Sequence, residues 1–197
     1  IINPVVNKSD PYWDYIKLPL MSVDFTELKN KNSDTVAFIR VNGTNINYPV
    51  VQAGDNDYYL TRAFDKSKNS GGWVFLDYRN KLDNLSDNTI IYGHGRQNKT
   101  IFGSLKSVVD KSWYNNPENH TIYLSTPTEN TLWQVFSVYT IPTETYYLIS
   151  KFGSDESHQQ FIDTMLSRSV HNFNTDVNIK DKMLTLSTCW NHDVKVV

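Results

Sequence analysis

From residue 35 onward, apolar side chains recur at every second position in short runs, and this period constrains the fold more than any other sequence feature. Residues 35–41 and 45–51 form two such runs, joined at Asn42-Gly43, a dipeptide typical of tight hairpin turns. Because successive side chains of a strand point to opposite faces, a period of two predicts β-strands. The chain is therefore predicted to be mainly β.

Similar runs continue along the chain, and they predict further strands over 73–77, 89–92, 121–124, 131–139 and 183–189. The 12 Tyr, 9 Phe and 5 Trp residues favour the same fold class. A helix is predicted from Ser154 to Ser167, because Ser154 can cap it and apolar residues follow at helical spacing. Many short strands with few helices predict a closed or partly closed barrel.

The first 34 residues are predicted to be helical in two pieces. One piece starts at Asp10-Pro11 and ends before Pro19, and the second starts at Ser22. We therefore expect a helical extension over 1–34 and a β domain over 35–197, since 197 residues suit one domain.

Composition excludes several classes of function. A single cysteine excludes an internal disulfide framework and a zinc site built from several cysteines. The net charge of −2 offers no general attraction for nucleic acid. No apolar run approaches the roughly 20 residues that span a bilayer. Since the chain begins at Ile1 without an initiating Met, we interpret it as an excised fragment.

The cysteine stands at the end of the predicted strand 183–189. Leu184 and Leu186 share one face of that strand, whereas Thr185, Ser187 and Cys189 share the other. A core cysteine would be expected beside the leucines, so this position favours a reactive thiol. A small buried hydrophobic residue stays open as the alternative.

A reactive thiol needs an imidazole nearby, because a free thiol is mostly protonated at neutral pH. His94 is the strongest candidate, since it follows a hydrophobic strand and stands between two glycines that would leave the ring uncrowded. His192, three residues after the cysteine, is a competitor. The remaining histidines lie in polar stretches and are predicted to be surface residues: His120, His158 and His171.

Two motifs at these positions resemble a known family. Residues 185–189 read Thr-Leu-Ser-Thr-Cys and match the TLxTC signature of sortases, and residues 92–95 resemble the segment that carries the sortase histidine. The resemblance to class B-type sortases covers roughly residues 20–190. It extends over segments 34–39, 43–52, 55–60, 75–80 and 102–105.

The resemblance implies a sortase-like eight-stranded β-barrel with N-terminal helices and an extra helix between strands 6 and 7. It also implies a cysteine transpeptidase in which Cys189 is the nucleophile and His94 its proton-transfer partner. Such an enzyme cleaves a C-terminal sorting signal after Thr through an acyl-enzyme and passes the acyl group to an amine. It needs no cofactor and no metal.

The family pattern further implies a peptide groove. The positions that match its lining are Asn56, Leu60, Thr143, Tyr147 and Leu148, with Ser187 and Thr188 beside the nucleophile. For Tyr147 and Leu148 the alternative is simple loop packing, and for Ser187 and Thr188 it is strand pairing that holds the cysteine in place.

The implied partners are surface proteins or pilins with an NPxTx-like sorting signal, and a cell-wall precursor or pilin amine as acceptor. Nucleic acid is not an expected partner. The implied location is the extracellular face of the cell membrane, with the parent protein anchored by an N-terminal segment absent from this fragment.

One position departs from the family pattern. Class B-type sortases carry an arginine about ten residues after the cysteine, where it holds the substrate or stabilises the oxyanion. This chain has no arginine after Cys189, and the five earlier arginines do not match that position. Two interpretations stay open: the last strand is truncated and the arginine lies past Val197, or Lys195 takes its place.

Two other functions also remain open. A cysteine endopeptidase would form the same acyl-enzyme and resolve it with water rather than an amine. A degenerate sortase-fold domain would bind peptides without catalysis, and its cysteine would be a core residue.

Overall fold

The described residues form a mainly β structure with short helices. The computed structural model describes residues 22–142, 144–189 and 195–197. The strands are β1 Thr35–Val41, β2 Asn47–Val51, β3 Phe75–Leu76, β4 Asn88–His94, β5 Thr121–Ser125, β6 Asn130–Gln134, β7 Thr140–Ile141, β8 Met183–Cys189 and β9 Lys195–Val196. The α-helices are α1 Phe25–Lys31, α2 Lys111–Tyr114 and α3 Asp155–Arg168, and 3-10 helices span Tyr58–Leu60, Gly103–Val109 and Pro117–His120.

Seven strands build one nearly closed, barrel-like sheet in the order β6-β5-β1-β2-β3-β4-β8. Neighbours are antiparallel except for β2–β3 and β4–β8, which are parallel. The short strands β7 and β9 pair separately as an antiparallel ribbon. The predicted mainly β, barrel-like fold is therefore confirmed.

The strand count differs from the expected eight at one place. The strand predicted over 131–139 ends with β6 at Gln134, residues 135–139 lie outside any described ladder, and the short strand β7 follows directly after them. The backbone N–H of Val135 donates instead to the His120 carbonyl, and that of Tyr139 to the Val197 carbonyl. With β7 as an additional short strand, α3 lies between β7 and β8, and the expected sixth strand corresponds to β6.

Capping side chains set where the two longer helices begin. Asp24 accepts hydrogen bonds from the N–H groups of Thr26 and Glu27, so α1 begins at Phe25 rather than at Ser22. Ser154 caps α3 through a reciprocal pair of bonds with Ser157, at the predicted start. The helix predicted from Asp10 lies outside the described residues.

The core follows the predicted periods. In β1 the side chains alternate between buried and half-buried. Strand β4 is instead buried on both faces as far as Gly93, because Ile91 packs in one apolar cluster and Ile90 and Tyr92 pack in another. Helix α3 buries Phe161, Ile162 and Met165 in a second apolar cluster with Tyr147 and Met183. Among the described residues, no helix has the length and apolar character needed to cross a bilayer.

The surface prediction was wrong for two histidines. His120 is 4% exposed and stacks on Tyr114 with ring centroids 5.3 Å apart. His158 is 6% exposed and stacks on Phe152 at 4.2 Å. The polar neighbours in the sequence gave no sign of these aromatic partners, because folding brings the rings together.

Burial of His120 predicts a pH-dependent stability. Burial lowers the pKa of this imidazole below 6.5, so the unfolded chain binds the proton more strongly. The neutral His120 therefore contributes to folding stability above pH 6.5, and this contribution is lost as the pH falls and the imidazole must be protonated. The buried or paired carboxylates of Asp34, Asp77 and Asp87, whose pKa values are lowered from 3.8, act only at lower pH.

We expect the melting temperature of the wild type to fall between pH 7.5 and pH 5, and to fall less steeply in His120→Gln. Differential scanning fluorimetry across this range measures both slopes. Equal slopes would show that His120 does not control this pH range.

Candidate active site

The parallel pairing of β4 with β8 brings the two sequence motifs together. The register runs from Asn88 opposite Met183 to His94 opposite Cys189, so the histidine and the cysteine are paired at the carboxyl ends of both strands. Neighbouring strands lie about 4.8 Å apart. The two residues that the sequence predicts as a catalytic pair are thus adjacent in the sheet.

A carbonyl group and a glycine hold the His94 ring. Its Nε2 lies 2.7 Å from the carbonyl oxygen of Leu60. Gly72 has φ +58°, and a Cβ atom there would stand 2.7 Å from the ring carbon Cδ2 of His94. Any other residue at position 72 would therefore be strained and would press on the imidazole.

Gly93, directly before His94, has a different role from the one predicted. His94 is the last residue of β4, and a Cβ atom on Gly93 would stand 2.7 Å from the ring of Phe102. Gly93 therefore makes room for a core phenylalanine. Gly72, from another loop, is a residue that leaves space for the imidazole.

The Leu60 contact indicates which ring nitrogen of His94 carries a hydrogen. A carbonyl oxygen can only accept, so Nε2 must carry the hydrogen in both the neutral ring and the imidazolium. The neutral ring and the imidazolium therefore differ only in whether Nδ1 carries a hydrogen. A histidine with one nitrogen held in this way can act as base and then as acid without turning its ring.

The two residues before Cys189 are buried and bonded within the protein. Ser187 is 1% exposed, and its hydroxyl lies 2.7 Å from the Tyr147 hydroxyl. Thr188 is 0% exposed, and its Oγ1 accepts from the Val196 N–H at 2.8 Å. These contacts support the interpretation in which both residues hold the end of β8 in place.

The predicted groove residues lie at different depths. Leu60 and Leu148 are both half-buried and pack against one apolar cluster, which contains Phe75 and Tyr92. Tyr147 is 0% exposed, so it packs beneath its loop as the alternative interpretation stated. Of the predicted groove residues, Leu60 and Leu148 are therefore the two that pack half-buried against the same apolar cluster. Thr143 lies outside the described residues.

Asn56 is half-buried, and its side-chain amide is hydrogen-bonded within the protein. Its Nδ2 donates to Asp77 Oδ2 at 3.0 Å, and its Oδ1 accepts from the Tyr78 N–H at 3.0 Å. Asn56 therefore belongs to a polar network centred on Asp77.

Asp77 is a site residue that the sequence analysis missed. Its side chain is fully buried and accepts hydrogen bonds from Arg79, Tyr92 and Asn56. Burial alone would raise the pKa of Asp77, but these hydrogen bonds outweigh burial and lower it. The carboxylate is therefore ionised. It connects the loop that carries Asn56, which follows β2, to Tyr92 on the strand that carries His94. Nothing in its sequence neighbourhood singles it out as a charge at the site.

Asn88 is a second residue that the sequence did not reveal. It is 0% exposed, and its Nδ2 donates to the Ile149 carbonyl at 2.9 Å while its Oδ1 accepts from the Thr185 hydroxyl at 2.8 Å. Its backbone N–H also donates to the Ser150 carbonyl. Asn88 thus joins β4, β8 and the segment with Tyr147 and Leu148.

Replacing Asn88 with alanine should lower the free energy of unfolding by about 2–4 kcal/mol, because buried polar partners lose their hydrogen bonds. Chemical denaturation measures this change. Asn84→Ala is the matched control, since Asn84 is exposed, and we expect it to change stability by less than about 0.5 kcal/mol. Equal effects of the two substitutions would contradict the proposed role of Asn88.

The strand β9 lies beside the end of β8. Lys195 pairs with Ile141, and Val196 is buried and bonded to Thr188. A short terminal strand that carries Lys195 therefore packs at the cysteine end of β8. Both interpretations of the arginine position stay open.

A cavity of about 280 Å³ lies elsewhere, between β6 and the first part of β8. Its lining is mostly apolar and includes Trp133, Phe136 and Leu184, but neither His94 nor Leu60. The cavity is therefore separate from His94. The candidate site is placed at the carboxyl ends of β4 and β8, because the strand register pairs His94 with Cys189 there. No group of three potential metal ligands occurs among the described residues.

Comparison with known proteins identifies the family. A family model described as a sortase domain matches residues 39–196. The chain belongs to the sortase family. Sortase B from Staphylococcus aureus is 38% identical over 166 residues, which cover 84% of this chain and 67% of that protein.

Solved class B sortases have the same fold. A Staphylococcus aureus sortase B–substrate complex has a TM-score of 0.82 and 35% identity, covering 87% of this sortase and 81% of that chain. Clostridium perfringens sortase B has a TM-score of 0.81 and 31% identity, covering 88% and 96%. This sortase is a class B-type cysteine transpeptidase, and cell-wall anchoring of proteins is the role of its family.

Proposed function

We propose that this sortase cleaves an NPxTx-like sorting signal after its threonine, with Cys189 as nucleophile and His94 as the proton-transfer group. The observation that carries the proposal is the register of β4 and β8, which pairs these two residues at the strand ends. A thiol and an imidazole on paired residues of neighbouring strands can supply both the nucleophile and the acid–base group that acyl transfer needs.

In the proposed first step, the thiolate of Cys189 attacks the threonine carbonyl carbon, and a thioester forms as the peptide C–N bond breaks. The imidazolium of His94 gives the Nδ1 proton to the leaving amine. In the second step, an amine attacks the thioester, and His94 takes the proton that this amine loses. The new amide leaves, and the Cys189 thiolate is restored.

The surface formed by Leu60 and Leu148 is the proposed groove for the sorting signal. Both side chains are half-buried beside Tyr92, which lies two residues before His94 on the same strand. Half-buried apolar side chains next to a reacting pair can bind the apolar parts of a peptide while leaving its backbone accessible. A related sortase B has been solved as a complex with substrate, which supports peptide binding by this fold.

We further propose that the donor is a surface protein or pilin and that the acceptor is an amine of a cell-wall precursor or a pilin lysine. The reaction would take place at the extracellular face of the membrane, with the parent protein anchored there. This part of the proposal is supported by the family, whose members anchor proteins to the cell wall.

A panel of quenched fluorescent peptides with NPxTx variants tests the proposal, with and without triglycine. We expect cleavage of at least one peptide after threonine and a ligated product in the presence of triglycine. Cleavage that yields only the free acid, with triglycine at millimolar concentration, would show a hydrolase. No cleavage of any peptide would contradict the proposed donor.

A further inference from the structure

The segment 144–150 is held by hydrogen bonds to residues outside it as well as by one internal bond, from the Leu148 N–H to the Thr145 carbonyl. It follows β7 and precedes α3, it has no regular secondary structure, and it carries Tyr147 and Leu148. Asn88 binds the carbonyl groups of Ile149 and Ser150 from one side. The Leu148 carbonyl has a different partner, because it accepts from Nη2 of Arg79 at 3.2 Å.

Arg79 is itself held in a fixed orientation. Its Nε donates to Asp77 Oδ1 at 2.8 Å and its Nη2 to Asp77 Oδ2 at 2.7 Å, which forms a bidentate pair with a fully buried carboxylate. The backbone N–H of Arg79 donates to the same carboxylate at 2.9 Å. Such a pair fixes the plane of the guanidinium as well as its distance.

The same carboxylate also binds the other parts of the proposed groove. Asp77 Oδ2 accepts from Asn56 Nδ2 at 3.0 Å and from the Tyr92 hydroxyl at 2.8 Å. One buried charge therefore connects the loop after β2, the strand of His94 and, through Arg79, the Leu148 carbonyl. These connections set the distance between the two sides of the groove.

We propose that Arg79 is a positioning residue for the sorting-signal peptide, which holds the Leu148 segment in register with the His94 strand. The inference rests on the proposed function, since it takes Leu60 and Leu148 as the walls of the peptide groove. A guanidinium is needed because its planar fork can bind both carboxylate oxygens and a carbonyl at once. A lysine ammonium keeps the charge but not this geometry.

Arg79→Lys should therefore raise KM for the sorting-signal peptide about tenfold while kcat changes less than about twofold. The rate at which iodoacetamide alkylates Cys189 should stay the same, because this small reagent does not need the groove. KM for triglycine should also stay the same. A purely structural defect would instead alter the alkylation rate and the melting temperature together with KM.

Arg40→Lys is the matched control. Arg40 stacks on Tyr123, 4.1 Å from the ring centroid, on strand β1. The same substitution there should leave peptide KM unchanged. An equal KM for Arg79→Lys and the wild type, or an equal rise in both variants, would overturn the proposal.

Hydrogen exchange separates this inference from the proposed function. In Arg79→Lys, the backbone amides of segment 144–150 should exchange hydrogen at least about fivefold faster, whereas the exchange rates of the β4 amides should not change. This readout needs no substrate, so it decides the positioning claim even if no peptide is cleaved. Unchanged exchange in segment 144–150 would overturn the claim, whereas failure of the wild type to cleave any peptide would count against the proposed function alone.

Discussion

Cys189→Ala should lose sorting-signal cleavage by at least about 10⁴-fold, because the thioester can form on no other side chain of this chain. Cys189 is the single cysteine of the sequence, so no second thiol can replace it. The measurement is the initial rate of peptide cleavage, together with the yield of the triglycine ligation product. The cleavage product and the ligation product should both be absent in this variant, since each is formed from the same acyl-enzyme.

The fold should survive this substitution. The pairing of β8 with β4 uses backbone groups, and Thr188 keeps its bond to Val196 whatever stands at position 189. We therefore expect circular dichroism and the melting temperature to stay close to the wild type. Cleavage by folded Cys189→Ala above about 0.01% of the wild-type rate would contradict the account. Cys189→Ser, which is isosteric, gives a second folded variant for the same comparison.

His94→Ala should lower kcat/KM about 10³-fold, because the substitution removes the group that carries the proton to the leaving amine. The loss should be smaller for thiol alkylation at high pH, where the thiolate forms without help. The measurement is kcat/KM for the peptide and the alkylation rate, both followed from pH 6 to pH 10.

His192→Ala is the control for this prediction. His192 lies outside the described residues but stands three positions after the cysteine, so the sequence left it as a competitor. We expect His192→Ala to keep kcat/KM within about threefold of the wild type. A large loss in His192→Ala with little loss in His94→Ala would show that His192, and not His94, transfers the proton.

Elements with a strong local pattern were predictable from the sequence. The strand 183–189 has the predicted bounds, and α3 begins after the predicted cap because Ser154 and Ser157 satisfy each other locally. The strand predicted over 131–139 failed for the opposite reason. Its second half bonds to the His120 carbonyl and to the terminal residue Val197, and such distant partners leave no local signal.

The site shows the same division. The sequence named His94 and Cys189 as candidates, but their pairing depends on the parallel register of β4 and β8, which the separate strands do not reveal. Asp77 and Asn88 were missed because their roles come from partners far along the chain. Two buried histidines, His120 and His158, were misjudged because their aromatic neighbours are also brought in by folding.

The most direct test of the central claim is the capture of the acyl-enzyme. The sortase is mixed with a cleavable NPxTx peptide without an amine, quenched in acid within seconds, and analysed by intact mass and by peptide mapping. We predict an added mass equal to the peptide up to its threonine, on the fragment that contains Cys189, and its disappearance when triglycine is added before the quench. Cleavage of the peptide with no adduct on Cys189 in wild type or in His94→Ala would contradict the account.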